Sequence, residues 1–166
     1  MKIRVLSVDL SVISGKDNFI DKSKGQKCYT LYVFKSSALA KTNIGLNEVN
    51  AGDCLLISPT SPHYLKSKES EWEYDSISFK GSDATRLVSQ VGLDCDTVHT
   101  PLQTYFIDAL LDKIVKEFRA MDMHFERVIS STLDELLTKI VRFSKQDFVL
   151  SMPVSYTHLR AHETSQ

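Results

Sequence analysis

From Val5 to Phe79 the chain alternates short apolar runs with polar turns, and from Gly81 onward the apolar residues recur every three or four positions. The first spacing predicts strands and the second predicts helices. Tyr29-Thr30-Leu31-Tyr32-Val33-Phe34 is dense in aromatic and β-branched residues and predicts a strand. Val5 to Ile13 predicts another, closed by a turn at Gly15-Lys16-Asp17-Asn18, with Asp21 to Lys27 as a polar loop. Leu39 to Val49 is a weaker strand region, with Asn43 and Gly45 allowing a turn. Gly52-Asp53 is turn chemistry ahead of Cys54-Leu55-Leu56-Ile57, and Pro59 and Pro62 end that run because proline cannot donate to a sheet ladder. After a polar hairpin at Lys66-Ser67-Lys68-Glu69-Ser70 comes the clearest alternation. It places Ile77 and Phe79 on one face and Trp72, Tyr74, Ser76 and Ser78 on the other. Bulk on both faces suits a barrel or sandwich wall that is packed outside and lined inside.

The helical half carries its own punctuation. Ser82-Asp83 is a start signal for a short helix through Val91, and Gly92 is placed to end it. Thr100-Pro101-Leu102-Gln103 predicts a second start, with Thr100 as N-cap and Gln103 completing a capping box. Its stripe is Leu102, Phe106, Ala109, Leu110, Ile114 and Phe118. A further helix is expected from near Phe125. Its face of Ile129, Leu133, Leu136, Leu137 and Ile140, with Val141 and Phe143 beside it, is dense enough to require a cover. That cover is either the barrel or a partner helix. The helix starting at Pro101 can already cover the barrel, so the expectation is a homodimer contact through these five residues. The expected division is a β-barrel over 1–81 and a helical segment of the same domain over 82–153.

Composition narrows the function. The chain has 166 residues, enough for one domain with a substantial core. Its formal net charge of −1 gives no electrostatic footprint for nucleic acid. No apolar run reaches membrane-spanning length, and the start has no leader pattern. Cys28, Cys54 and Cys95 are scattered and odd in number, which suits reduced thiols in a cytoplasmic protein.

The chemistry is one of binding. A metal-dependent barrel needs several converging imidazoles and carboxylates, and His63 stands alone in its region, so neither metal nor cofactor is expected. No nucleophile elbow and no phosphate-binding glycine loop occurs, so no catalytic residue is assigned. Glu69, Glu71 and Glu73 suit a solvated hairpin, whereas Asp75 leans to the Ile77 and Phe79 face, where it would cap or orient a neighbour. Trp72, Tyr74 and Ser76 share a face with hydrogen-bonding capacity, and Tyr64 follows the preceding turn. Such rings line either a plain core or a pocket that stacks on a polar ligand.

Two segments together, Gly52-Asp53 through Pro59-Thr60-Ser61-Pro62-His63 and Trp72-Glu73-Tyr74-Asp75-Ser76-Ile77-Ser78-Phe79-Lys80-Gly81, resemble signatures of the sensor domain of AraC-type bacterial transcription regulators. The resemblance spans about 29–153. It implies a cupin-like antiparallel β-barrel, a double-sheet jelly roll, followed by two long helices. It also implies a small-molecule effector, commonly a sugar, an antiparallel dimer contact through the helices, and DNA binding only through helix-turn-helix units beyond this segment. By matched position it implies that Tyr74 and Ser76 line the pocket, with His63, Tyr64, Trp72 and Lys35 as further ligand-binding candidates. Two departures matter. Lys35-Ser36-Ser37-Ala38 stands where the family usually has glycine. Ser76 stands where a tryptophan is common, which removes a stacking platform and argues against arabinose. A metal-free cupin enzyme, such as a sugar isomerase or epimerase using Tyr74 or His63, is the alternative. A barrel that only dimerises is a third. Finally, Val154 to Thr164 resembles a reading frame of a transposon-based sequencing adaptor, so 154–166 is set aside as a non-native tail, with the natural gene expected to continue past Pro153.

Overall fold

The structure, a computed structural model, describes residues 3–144. The adaptor-like tail and the end of the 82–153 segment lie outside the described residues. Nine strands form two antiparallel sheets: β1 (Arg4–Ser14), β2 (Phe19–Lys22), β3 (Tyr29–Phe34), β4 (Ala38–Thr42), β5 (Leu46–Val49), β6 (Cys54–Ile57), β7 (His63–Ser67), β8 (Trp72–Lys80) and β9 (Val98–His99). The helices are α1 (Ala84–Val91), α2 (Tyr105–Ala120) and α3 (Phe125–Ser144). The first sheet runs β1-β8-β3-β6-β9 and the second β2-β7-β4-β5. The architecture is mainly β with helices at the C-terminal side, a cupin-like double-sheet barrel. Among the described residues no helix is long and apolar enough to cross a membrane.

Strand parity builds the layers. On β3, Tyr29, Leu31 and Val33 face the helices, while Tyr32 and Phe34 face the barrel interior. On β8, Ile77 and Phe79 join the helical side and Trp72 the interior. The first sheet is therefore the shared wall of two cores. One is an interior apolar plug that includes Phe34, Val49, Leu55, Leu65 and Trp72. The other lies between the sheet and the three helices.

β2, β7 and β9 were not anticipated. The loop expected over 21–27 begins inside β2, and Lys66 and Ser67 belong to β7 rather than to the turn. The predicted capping box is also corrected. α2 starts at Tyr105, with Thr104 flanking it, and Thr100 Oγ1 instead donates to Asp53 Oδ1 at 2.9 Å. Leu102 N–H donates to the Phe143 carbonyl at 3.2 Å, so the segment before α2 is held by other partners and Leu102 is exposed. Ala109 is exposed too and leaves the stripe. Gly92 does end α1, in a left-handed conformation (φ 74°) that favours glycine. Gly52 (φ 95°) turns the chain into β6, and the neighbouring Asp53 carboxylate also accepts from Asn50 N–H at 2.8 Å.

The larger correction concerns α3. Ile129, Leu133, Leu136, Leu137 and Ile140 are all buried within the single chain, the last four completely. They pack with α1, α2 and the outer face of the first sheet. These residues have no surface left for a second subunit, so they are core and not a dimer contact. Each such leucine contributes about 1.5–3 kcal/mol by burial. Leu133→Ala is therefore expected to lower stability by about 2–5 kcal/mol in a chemical denaturation series. A loss under 1 kcal/mol would mean that this face is not packed as described.

Candidate functional site

A cavity of about 380 Å³ opens between β1, β8 and β3 on one side and β2 on the other. Register explains its chemistry. Three rungs cross the first sheet: Ser7–Ser78–Thr30, then Asp9–Ser76–Tyr32, then Val12–Tyr74–Phe34. The first rung is all hydroxyl, and Thr30 Oγ1 lies 3.0 Å from Ser78 Oγ and donates to Gln26 Oε1 at 3.2 Å. The second carries a carboxylate, a hydroxyl and a phenol. The third turns aromatic and merges with the apolar plug. Tyr32 and Tyr74 meet edge to face at 5.9 Å, and Trp72 stacks on Tyr74 at 5.0 Å. The cavity thus runs from polar mouth to aromatic floor.

Two bulges in β1, one between Val5 and Ser7 and one between Asp9 and Val12, shape this wall. Between Asp9 and Val12 the strand gains one residue relative to β8, so that Asp9 and Val12 both fall on the cavity rungs. Ser11 lies at the bulge with φ 53°. Its N–H donates to Asp75 Oδ1 at 2.7 Å, and Asp75 also pairs with Lys35 at 3.4 Å. Asp75 is buried, and the charge-assisted bonds offset the cost of burying it. Lys35 bridges onward to Asp108 of α2. Burial opposes its charge, but the Asp108 hydrogen bond and the Asp75 charge prevail and raise its pKa.

The sequence candidates therefore divide. Tyr74 and Ser76 line the cavity. His63 is buried behind it, with Nε2 at 2.9 Å from Tyr32 Oη. Trp72 backs Tyr74 from the plug, and its Nε1 has no hydrogen-bond partner among the described residues. Tyr64 and Lys35 are not brought to the cavity. Tyr64 stacks on Phe19 at 5.3 Å on the outer face of the second sheet and, with His63, lines a second cavity of about 780 Å³. Lys35 serves the Asp75–Asp108 network instead. Sequence reasoning missed Ser7, Asp9, Thr30 and Tyr32 as lining. Tyr32 had a usable signal, since it alternates with Leu31 and Val33. Ser7 and Asp9 had none, because the bulge between Val5 and Ser7 puts Ser7 on the opposite face from Val5.

Burial and then the neighbouring Asp9 carboxylate raise the pKa of Tyr74, while burial and then Tyr74 raise that of Tyr32. Both phenols are held protonated near neutral pH. Burial, aided by Lys22, lowers the pKa of His63 against the opposing pull of the Ser61 carbonyl and Asp96. Among the described residues no three His, Cys, Asp or Glu side chains converge on a point that could hold a metal ion.

No protein-family model and no curated protein sequence matches the chain. Solved structures do. ToxT from Vibrio cholerae O395, bound to (E)-4-(8-methylnaphthalen-1-yl)but-3-enoic acid, is 14% identical with a TM-score of 0.54, over 87% of this chain and 58% of that one. This chain thus spans a little over half the length of that protein. A Cupin 2 conserved barrel domain protein from Salinispora arenicola CNS-205 is 14% identical over 53% of this chain and 82% of that one, with a TM-score of 0.33. The plu4264 protein from Photorhabdus luminescens is 15% identical over 48% and 68%, with a TM-score of 0.39. At these identities the likeness to ToxT is one of fold.

The depressed His63 has a thermodynamic consequence. Unfolded, the ring titrates near its ordinary value of about 6.5, whereas folded it resists the proton. The unfolded state then binds more protons as pH falls below that value, so the stability held above it is lost on acidification. The melting temperature is expected to drop between pH 7 and 5.5, and less steeply in His63→Gln. Equal slopes for the two proteins would contradict a buried neutral ring.

Proposed function

We propose that this chain is a ligand-sensing, cupin-like domain of an AraC-type transcription regulator, working by binding and not by catalysis. The observation that carries the reading is the rung pattern: a concave, hydroxyl-lined cavity with Tyr74 at its floor, of a size suited to a small molecule. The sequence signatures resembling that family lie in the same elements. Gly52 and Asp53 make the turn before β6, and the second signature is β8 itself, which forms the cavity wall. The shared fold with ligand-bound ToxT supports a sensor role. The lining here calls for a polar effector, of which a sugar or other polyhydroxy compound is the natural class.

In this reading the protein acts in the cytoplasm, and DNA is bound by helix-turn-helix units outside this segment. A homodimer would have to use surface other than the buried stripe of α3.

Thermal denaturation against a panel of pentoses, hexoses and their alditols tests the reading. A ligand at one hundred times its dissociation constant adds about 2.7 kcal/mol to the folded state, a shift of several degrees. Tyr74→Ala should abolish that shift while keeping the far-ultraviolet circular dichroism of the parent. A panel without a shift, or a shift that survives in Tyr74→Ala, would remove the cavity as the sensing site.

A further inference from the structure

His63 and Tyr32 form a buried hydrogen-bonded pair at the cavity wall. His63 Nδ1 faces the Ser61 carbonyl at 3.5 Å, a long contact but one with a fixed direction, because a carbonyl oxygen can only accept. Burial disfavours the charged ring, and in the neutral ring this contact assigns the proton to Nδ1. With that tautomer Nε2 is bare, and the Tyr32 hydroxyl 2.9 Å away is the donor to it. The single phenolic proton is committed behind the wall. What Tyr32 presents to the cavity is lone pairs. Across the same rung stands Asp9, which when ionised also only accepts.

We propose that Tyr32 is a specificity-determining residue, locked as a hydrogen-bond acceptor by His63, so that the cavity selects ligands bringing a hydroxyl or N–H donor to the middle rung and turns away carboxylates. The proposal rests on the ligand-sensing reading above and deepens it. A carboxylate placed there meets the lone pairs of Tyr32 and the charge of Asp9. It would bury acceptors against acceptors at that rung, a contact that costs their desolvation without a hydrogen bond in return. A hydroxyl at the same point satisfies Tyr32 and still accepts from Ser76. Lys22 also lines the cavity, opposite His63 in the β2–β7 register, and could hold an anion there, so the test must read Tyr32 itself.

Nitrogen-15 spectroscopy of the histidine rings is the first arm, and the Nδ1–H tautomer of His63 is the expected result. The second arm titrates matched pairs, xylitol against xylonate and sorbitol against gluconate, while following the Tyr32 and Ser76 resonances. The alditols should bind at Tyr32 at least about tenfold more tightly than the aldonates, a ratio worth one lost hydrogen bond. Tyr32→Phe should bring the two within about threefold of each other, since the deciding acceptor is gone. His63→Leu should weaken the preference by freeing the phenolic proton. If that variant does not fold, the tautomer and Tyr32→Phe decide. An Nε2–H tautomer, or an aldonate that binds at Tyr32 as tightly as its alditol, overturns the inference and leaves ligand sensing standing. Cavity resonances that respond to neither compound of either pair overturn the sensing reading and the inference with it.

Discussion

The strand Tyr29–Phe34 has no exposed residue on either face, and it sits between β8 and β6 in the middle of the first sheet. A strand buried on both sides needs a second layer on each. On one side the second sheet closes the barrel over Tyr32 and Phe34. On the other, the helices must cover Tyr29, Leu31 and Val33, together with Leu56, Ile77 and Phe79 from the adjacent strands. This demand explains α3. Its dense leucine face is the lid that the outer wall requires, fitted beside α2 and α1. The apolar area that seemed to call for a second subunit is consumed within the chain.

One polar residue on that apolar side adjusts the cavity on the other. Asp75 alternates with Tyr74 and Ser76 and so points away from the lining. Its carboxylate nevertheless holds the Ser11 bulge, which sets Asp9 opposite Ser76 and Val12 opposite Tyr74. A serine in the left-handed region stores strain that a buried charge-assisted hydrogen bond can compensate. Through Lys35 the same carboxylate is tied to Asp108 on α2. The lining of β1 and the seating of the helical layer therefore share one ionic anchor.

Period-two and period-four patterns made β3, β8 and the helical half legible, because each buries a full face and shows it in the sequence. The second sheet was harder to see. β7 turns His63, Leu65 and Ser67 inward, so only one of its three inward residues is apolar, and β2 has four residues. The same blind spot misplaced Tyr64. Once His63 and Tyr64 are neighbours on a strand they must face opposite sides, and His63 takes the inside. Lys35 was misassigned for a different reason. Its partners Asp75 and Asp108 are 40 and more residues away in the chain or on another layer, and no local pattern announces an ion pair of that kind. The leucine stripe of α3 was read correctly as a face needing burial. Periodicity identifies such a face but not what covers it.

The division of the interior explains how a hydroxyl-rich cavity is tolerated. Polar groups facing a barrel interior are costly unless water or a ligand satisfies them. Here the apolar plug around Phe34, Leu55, Leu65 and Trp72 closes the floor, and the helical layer stabilises the wall from outside. Stability is thus supplied by residues that never reach the cavity. Ser7, Ser76 and Ser78 need carry none of it, and they stand on strands fixed from both sides. Rigid support with a dispensable lining is the arrangement in which ligand preference can change without endangering the fold. Tyr32 is the exception, since its ring packs with Phe34 at 6.4 Å while its hydroxyl reaches His63. It joins the core by its ring and reaches His63 by its oxygen, so a residue that lines the cavity is held by a strand buried on both faces.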